Sequence, residues 1–164
     1  METHTISRTQ VIKRPLKEVF AFFERPENLS LITPPSLGFT ILSTQPIEMR
    51  EGALIEYSIK VHGIPMHWTT MITEYDPPHS FIDVQIKGPY RFWQHTHTFR
   101  ETEEGTEITD EVRYIIPFGA LGRLINGLRI EKDLKIIFDY RKKVIEEYFA
   151  DSQLEQNREE EVVS

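Results

Sequence analysis

The stretch that decides the fold is IEKDLKIIFDYRKKVIEEYF, residues 130–149. Its apolar side chains recur every three or four residues, which is the spacing of one face of an α-helix. That face comprises Ile130, Leu134, Ile137, Phe138, Ile145, Tyr148 and Phe149. Charged residues fill most other positions, but Arg141 falls in the middle of the apolar face. We therefore predict an amphipathic helix over residues 121–149 that lies against a sheet, with Arg141 directed at whatever lies between.

The first turns of this helix differ from the rest. The apolar positions of residues 121–128 lie on a line that Ile130 and Leu134 do not continue. Gly127 also costs about 1 kcal/mol relative to alanine inside a helix. We therefore predict a bend or break near residues 127–129, and a gate for ligand entry in the turns before it.

The composition is that of one ordinary globular domain. The chain has 164 residues, of which 39% are hydrophobic and 27% are charged, and this length suits a single domain with its own core. It contains no cysteine, which excludes disulfides, thiolate metal sites and a cysteine nucleophile. We assign residues 1–149 to one domain and expect the polar, acidic residues 150–164 to form a disordered tail.

Charge and hydropathy limit the partners. The net charge is −7, and no basic patch with interleaved aromatic residues indicates binding to nucleic acid. No apolar run approaches the roughly 18 residues of a membrane span, and the first residues lack the pattern of a signal peptide. We therefore expect a cytoplasmic protein that has neither nucleic acid nor a membrane as its partner.

Upstream of the helix, most of the chain is predicted to form strands. A first strand covers residues 5–12, after which Pro15 and Pro26 each open a short helix. Six β-rich runs between turn signals follow, at residues 39–44, 53–61, 66–75, 80–86, 92–101 and 106–115. Their short connections predict an antiparallel meander. A curved antiparallel sheet of about seven strands, wrapped around the long helix, satisfies this order.

Local motifs point to a known family. They are Gly88-Pro89-Tyr90, Trp93-x-His95-x-His97-x-Phe99 with Asp110 downstream, and Phe138-Asp139-Tyr140-Arg141 on the last helix. In these motifs and in the order of its elements, the chain resembles the SRPBCC proteins, a START/Bet v 1-like superfamily related to polyketide cyclases and dehydrases. The resemblance covers about residues 3–149 and implies an α+β helix-grip fold. It also implies a pocket for an apolar or amphipathic small molecule between sheet and helix, but no particular chemistry.

Alternation along the strands predicts which side chains face the interior. In residues 106–115 the even positions are mostly apolar and must face inward, and Asp110 is among them. If the turn at residues 102–105 is a two-residue hairpin, Asp110 lies opposite His97. Both side chains are therefore expected on the inner face.

The neighbouring turns extend this register outward. A three-residue loop at residues 88–90 places Asp83 opposite His95. A four-residue turn pairs Val61 with Met66. The two Asp–His pairs therefore meet at the centre of the inner face.

These inward-facing sets predict a cavity with aromatic walls and a polar centre. The residues predicted to bind a ligand are Tyr57, Trp68, Phe81, Gln85, Trp93, Phe99, Tyr114, Phe138 and Arg141. Rings supply bulk binding energy and polar atoms orient the ligand, so we expect a small lipophilic or aromatic molecule as the partner.

The polar centre admits three interpretations. In the first, each carboxylate satisfies a buried imidazole in a structural network. In the second, the cluster is catalytic and a histidine exchanges protons with a carbonyl substrate. In the third, it holds a metal ion, which is disfavoured because each histidine already has an aspartate and no metal-ligand motif is present. The candidate catalytic residues are His95, His97, Asp110 and Asp83, and we expect neither a metal nor another cofactor.

The predicted function is the binding of an amphipathic or aromatic small molecule. One alternative is an enzyme of the cyclase/dehydratase kind, a lyase or isomerase. Another is a non-catalytic module that forms a homodimer or a heteromeric contact through the outward apolar row Ile82, Val84 and Ile86. Arg141 either pairs with Asp83 or Asp110, or anchors a carboxylate or phosphate of the ligand.

Overall fold

An antiparallel sheet and a long helix make up most of the structure. The computed structural model describes residues 2–61, 63–117 and 119–163, without the side chains of 119–128 and 153–163. The strands are β1 (His4–Ile12), β2 (Thr40–Ile41), β3 (Leu54–Val61), β4 (Ile64–Asp76), β5 (Ser80–Lys87), β6 (Phe92–Thr102) and β7 (Gly105–Ile115). The α-helices are α1 (Leu16–Phe23) and α2 (Gly119–Val163), and 3-10 helices span Pro26–Ser30 and Pro35–Leu37.

The sheet has the order β1-β7-β6-β5-β4-β3-β2, and its neighbouring strands are antiparallel. The chain meanders from β2 to β7 and β1 closes the far edge, because the short helices carry the chain from one edge to the other. The predicted α+β helix-grip fold is therefore confirmed. The strand predicted at residues 39–44 is reduced to the two residues of β2.

The predicted register around the polar centre is correct. Asp83 lies opposite His95, and Asp110 lies opposite His97. Further along the sheet, the prediction that Val61 pairs with Met66 is wrong.

The observed partner of Val61 is Ile64, because β4 begins before Pro65 rather than after it. A proline near the start of a strand removes few ladder hydrogen bonds and is tolerated there. The shift is by two residues, so each side chain keeps its predicted face.

Helix α2 packs its apolar face on the inner side of the sheet in two clusters. Leu134 and Phe138 join a cluster with Trp68, Trp93, Val112 and Tyr114. Ile145 and Phe149 join a second cluster with Phe20, Phe23, Phe81 and Phe99. Arg141 lies in sequence between the two pairs, as predicted, so a charged side chain stands where the apolar clusters meet.

Two features of α2 differ from expectation. Tyr148, predicted on the buried face, is 44% exposed and lies over the Phe22 ring with centroids 4.6 Å apart. The helix also continues to Val163, past its predicted end at Phe149, because glutamate, glutamine and arginine in this segment favour helical backbone. The division into a domain of residues 1–149 and a tail stays a prediction.

The gate predicted at residues 121–128 depends on side chains that lie outside the described part of the chain. The backbone there belongs to α2, and the helix is assigned without interruption through residues 127–129.

The outward apolar row is only partly covered. Ile86 is 56% exposed, whereas Ile82 and Val84 are half-buried. Across the residues described, no helix combines the length and the hydropathy needed to cross a bilayer.

Candidate functional site

A cavity of about 120 Å³ lies between the inner face of the sheet, α2 and the short N-terminal helices. Its lining consists of Phe22, Phe23, Arg25, Pro26, Asn28, Leu29, Ile32, Met49, Ile55, Tyr57, Trp68, Thr70, Ile72, Phe81, Asp83, Trp93, His95, His97, Phe138 and Arg141. The lining is mainly aromatic and aliphatic, and its polar groups come from β4, β5, β6, α2 and the segment after α1.

Most of the residues predicted for the site line this cavity. They are Tyr57, Trp68, Phe81, Asp83, Trp93, His95, His97, Phe138 and Arg141. Four others do not: Gln85, Phe99, Tyr114 and Asp110. Phe99 is buried between the rings of Phe20 and Phe23, at centroid distances of 5.2 and 5.1 Å. Tyr114 packs behind Trp93 at 6.1 Å, so both rings support the wall instead of forming it.

Gln85 closes the loop between β5 and β6. Its Nε2 donates to the carbonyl of Tyr90 at 2.7 Å, and its Oε1 accepts from the Tyr90 amide at 3.3 Å. The Gln85 side chain thus makes the same two hydrogen bonds to Tyr90 that a backbone residue would make in an antiparallel ladder. A Cβ at Gly88 would lie 2.5 Å from Gln85 Oε1, which explains the glycine in the turn.

The N-terminal side of the cavity was not predicted from the sequence. It comprises Phe22, Phe23, Arg25, Pro26, Asn28, Leu29, Ile32 and Met49. The apolar spacing of α1 was visible as Leu16, Val19, Phe20 and Phe23. Spacing alone identifies a buried face but does not say whether that face meets the sheet or a cavity.

The aromatic wall is built from interlocking rings. Trp68 meets Trp93 edge to face with centroids 5.3 Å apart, and Tyr57 stacks on Trp68 at 5.8 Å. Phe81 stacks on His97 at 4.1 Å. These offset and edge-on arrangements are the favourable ones for aromatic pairs, so the wall has a defined shape.

The polar centre is bonded diagonally across the strands. His95 Nε2 lies 3.0 Å from Asp110 Oδ1, and His97 Nε2 lies 2.9 Å from Asp83 Oδ2. The residues directly opposite are also near: His97 Nδ1 is 2.9 Å from Asp110 Oδ1, at an angle too bent for a good hydrogen bond, and His95 Nδ1 is 3.8 Å from Asp83 Oδ2. The two imidazole rings lie with centroids 3.7 Å apart and are tilted by 34° relative to each other.

The two histidines differ in charge. Burial and the neighbouring His97 lower the pKa of His95 to about 4, against the pull of Asp110. Burial also opposes charge on His97, but its contacts with Asp110 and Asp83 outweigh burial and raise its pKa. His95 is therefore neutral near pH 7, whereas His97 keeps its proton to a higher pH than a free imidazole does.

The two carboxylates are ionised. Burial raises the pKa of Asp110, but its contacts with the His95 and His97 rings outweigh burial and hold that pKa well below the usual range. The same balance lowers the pKa of Asp83, which also accepts a hydrogen bond from Thr70 Oγ1 at 3.1 Å. An ionised carboxylate can only accept, so His95 Nε2 carries the proton that it shares with Asp110.

This arrangement limits the chemistry of the cluster. Both ring nitrogens of His97 face carboxylates, so neither is free to exchange a proton with a substrate. His95 retains Nδ1 as an acceptor, but a pKa of about 4 makes it a weak base near neutral pH. The contacts fit a structural polar network better than an acid–base pair.

The same cluster contains the residues that could hold a metal ion. Asp83, His95 and His97 offer ligand atoms that lie within 4.8 Å of one another. A metal would have to displace the hydrogen bond between Asp83 and His97 and the proton on His97, because only neutral imidazole binds metal.

Comparison with known proteins identifies the family. Residues 12–135 match the family described as polyketide cyclase / dehydrase and lipid transport. No curated protein matches the chain at a significant level.

Solved structures show the same fold. Protein Ms6760 from Mycobacterium smegmatis is 18% identical with a TM-score of 0.66, covering 90% of this chain and 92% of that chain. TTHA0849 from Thermus thermophilus is 17% identical with a TM-score of 0.67, covering 91% and 99%. The major latex-like protein 151 from Panax ginseng is 14% identical with a TM-score of 0.63, covering 90% and 97%. At such identities these likenesses show the fold alone.

The family match spans well over half of the chain and agrees with the resemblance carried by the strand and helix motifs. The chain therefore belongs to the polyketide cyclase / dehydrase and lipid transport family.

Proposed function

We propose that this protein binds a small amphipathic or aromatic molecule in the cavity between the sheet and α2. The observation that carries the proposal is an internal surface with aromatic walls and a few polar groups, which is the composition of small-molecule sites in proteins. The family name joins cyclisation with lipid transport, and both require a pocket for an apolar molecule.

The volume limits the size of the ligand. Drug-sized sites occupy roughly 300–1,000 Å³, whereas this cavity measures about 120 Å³. An engineered apolar cavity of about 150 Å³ takes up benzene, so the present cavity suits a molecule with a single ring. A larger ligand would require half-buried side chains of the lining, such as Leu29 or Met49, to move.

The expected affinity is modest. A ligand of about nine non-hydrogen atoms that gains roughly 0.5 kcal/mol per atom binds with about 4.5 kcal/mol, or a Kd of about 0.5 mM. Binding assays with simple probes therefore need millimolar concentrations.

Binding is preferred to catalysis because the polar centre offers no strong, unpaired acid–base group near neutral pH. Asp83 and Asp110 occupy both nitrogens of His97, and His95 is bonded to Asp110. A carrier or sensor needs only the shape and the polarity of the cavity, which this network would hold in place.

Native mass spectrometry of the full chain in the presence of millimolar benzamide tests the proposal. We expect a one-to-one benzamide adduct that is lost when the protein is denatured. The variant Leu29→Trp narrows the cavity at its lining and should abolish the adduct. The matched control Leu31→Trp changes a residue that is 49% exposed and outside the lining, and should retain it. Protein without an adduct, or an adduct that survives Leu29→Trp, would contradict the proposal.

A further inference from the structure

Arg141 presents buried charge to the cavity. It follows Phe138 by one helical turn on the buried face of α2, and its side chain is only 11% exposed. Its Cζ lies 5.2 Å from the centroid of the Phe138 ring, which holds the guanidinium plane against an aromatic surface. The group therefore has a fixed position on the cavity wall.

Two of the three nitrogens of this guanidinium find no acceptor among the described residues. Arg141 Nε and Nη1 are buried and have no hydrogen-bond partner in the described part of the chain. The nearest carboxylate is that of Asp110, whose Oδ1 lies 3.9 Å from Nη1, beyond hydrogen-bond distance. That oxygen is already 3.0 Å from His95 Nε2 and 2.9 Å from His97 Nδ1.

Buried cationic donors without acceptors are costly. Removing such a group from water is unfavourable unless a partner compensates for the lost hydration. Since the described side chains leave two donor atoms of Arg141 uncompensated, a bound molecule with acceptor oxygens is the natural partner.

A second buried donor without an acceptor among the described residues lies on the sheet side of the cavity. Trp68 Nε1, on β4, is also buried without a hydrogen-bond partner among the described residues, and Trp68 lines the same cavity. Indole N–H can only donate. The wall therefore offers unmet donors from both the helix and the sheet, and the ligand must supply acceptors.

Cationic side chains outnumber carboxylates in the lining. Within the described lining, Arg141 and the exposed Arg25 are cationic, and Asp83 contributes a carboxylate. Asp83 is already hydrogen-bonded to His97 at 2.9 Å and to Thr70. Arg25 is positioned to attract an anion to the mouth, and Arg141 to receive it inside.

We infer that the cavity takes a single-ring aromatic acid, with its carboxylate accepting from Arg141 and Trp68 and its ring against Trp93 and Phe138. This inference rests on the proposed function and specifies its ligand class. A carboxylate supplies two acceptor oxygens that match the planar fork of a guanidinium, and one ring is what the volume accommodates.

Tryptophan fluorescence at pH 7 with benzoate and benzamide tests the inference. These probes have the same shape and differ in charge, and both tryptophans of the chain line the cavity. We expect benzoate to bind at least about tenfold more tightly than benzamide. Arg141→Gln should lower benzoate affinity to about that of benzamide and so remove this preference, whereas Arg141→Lys should keep part of it.

Two further variants complete the experiment. Trp68→Phe keeps the ring, removes the Nε1 donor and should reduce the benzoate preference about threefold, with Trp93 as the reporter. Trp68→Phe also tests the inference by itself if Arg141→Gln fails to fold. The control Arg100→Gln alters a surface residue that is 68% exposed and paired with Glu107, and should change neither affinity.

The outcomes separate the two levels of the proposal. Equal affinity for the two probes, or a preference that persists in Arg141→Gln, would overturn the inference and leave the proposed function standing. Failure of both probes to bind would count against the proposed function itself.

Discussion

Asp110 Oδ1 lies 3.0 Å from His95 Nε2, although the sheet register places Asp110 opposite His97. The same oxygen is 2.9 Å from His97 Nδ1, so one carboxylate serves both imidazoles. The polar centre is therefore a single cross-linked network across β5, β6 and β7, and removing one member affects the others.

The charge of Asp110 should be important for stability. Asp110→Asn keeps the size of the side chain but removes a buried negative charge beside His97. We expect a loss of about 3 kcal/mol in the free energy of unfolding, and a fall in the pKa of His97 because its main stabilising contact is weakened. Urea denaturation and histidine NMR titration measure the two effects.

The matched control is Asp139→Asn. Asp139 pairs with Arg8 at 3.2 Å but is 67% exposed, so its loss should cost less than about 1 kcal/mol. Similar costs for the two variants would mean that the cluster contributes no more than a surface ion pair.

Stability should peak near pH 6.5. Burial and His97 lower the pKa of His95 from 6.5 to about 4, so between these values the unfolded chain binds a proton that the folded chain does not. The free energy of unfolding then falls as the pH drops through this window, by about 3 kcal/mol. Denaturation curves recorded between pH 4 and 9 give the free energy of unfolding at each pH and so measure this fall on the acid side.

The fall in the free energy of unfolding above pH 6.5 comes from His97, and we call it the alkaline limb. Although burial opposes it, contact with Asp110 and Asp83 raises the pKa of His97 above 6.5. The contribution of His97 to the free energy of unfolding is therefore complete below pH 6.5, and it is lost as the pH rises through the pKa of His97 in the folded protein. His97→Gln should flatten this limb and the exposed control His79→Gln should not, whereas a profile unchanged in His97→Gln would contradict the assignment.

Gln85 should matter for the loop and not for the ligand. Gln85→Ala removes both side-chain bonds to the Tyr90 backbone, so we expect a loss of about 1–3 kcal/mol and faster hydrogen exchange at the Tyr90 amide. Benzamide affinity should be unchanged because Gln85 lies outside the lining. The control is Gln94→Ala on the outer face, and a large loss of affinity in Gln85→Ala would restore Gln85 as a ligand contact.

The wall and its support should be separable by mutation. Trp93→Ala removes a lining ring and should weaken benzamide binding at least about tenfold, since an aromatic surface is lost from the site. Tyr114→Ala removes a ring from the same cluster but from behind the wall. Calorimetric titration should show less than a threefold change for Tyr114→Ala, and equal effects would contradict the placement of Trp93.

The proposed catalytic alternative has its own test. His97→Gln should preserve benzamide binding if the network only shapes the cavity, because Gln retains a donor and an acceptor. An enzyme that uses His97 would show turnover of a carbonyl substrate that disappears in this variant. Loss of benzamide binding in His97→Gln, with no turnover by the unaltered protein, would contradict both hypotheses and would mean that the His97 ring itself is needed to hold the ligand.

Strand register and the inward or outward direction of side chains were predictable where apolar and polar residues alternate strictly and turns are short. The pairing of Asp83 with His95 and of Asp110 with His97 follows from loop length, and Arg141 stands out because it interrupts an apolar helical face. The diagonal hydrogen bonds were not predictable, since register fixes Cα partners and leaves the side-chain rotamers open.

Other features depend on structure that local pattern does not encode. The β4–β5 ladder shifts register between Thr69 and Thr70 and again between Ile72 and Glu74, and nothing in the residue types marks these irregularities. Gln85 faces a loop backbone because that loop folds back on it. The contribution of Leu29 and its neighbours to the cavity depends on how the 3-10 segment crosses the sheet.

The central claim is that the cavity between the sheet and α2 is the binding site, and isotope-filtered NOE spectroscopy tests it most directly. With labelled protein and saturating unlabelled benzamide, we expect NOEs from the ring protons of the probe to the side chains of Trp68, Trp93 and Phe138. NOEs confined to exposed apolar side chains such as Ile64 and Ile86 would contradict the account.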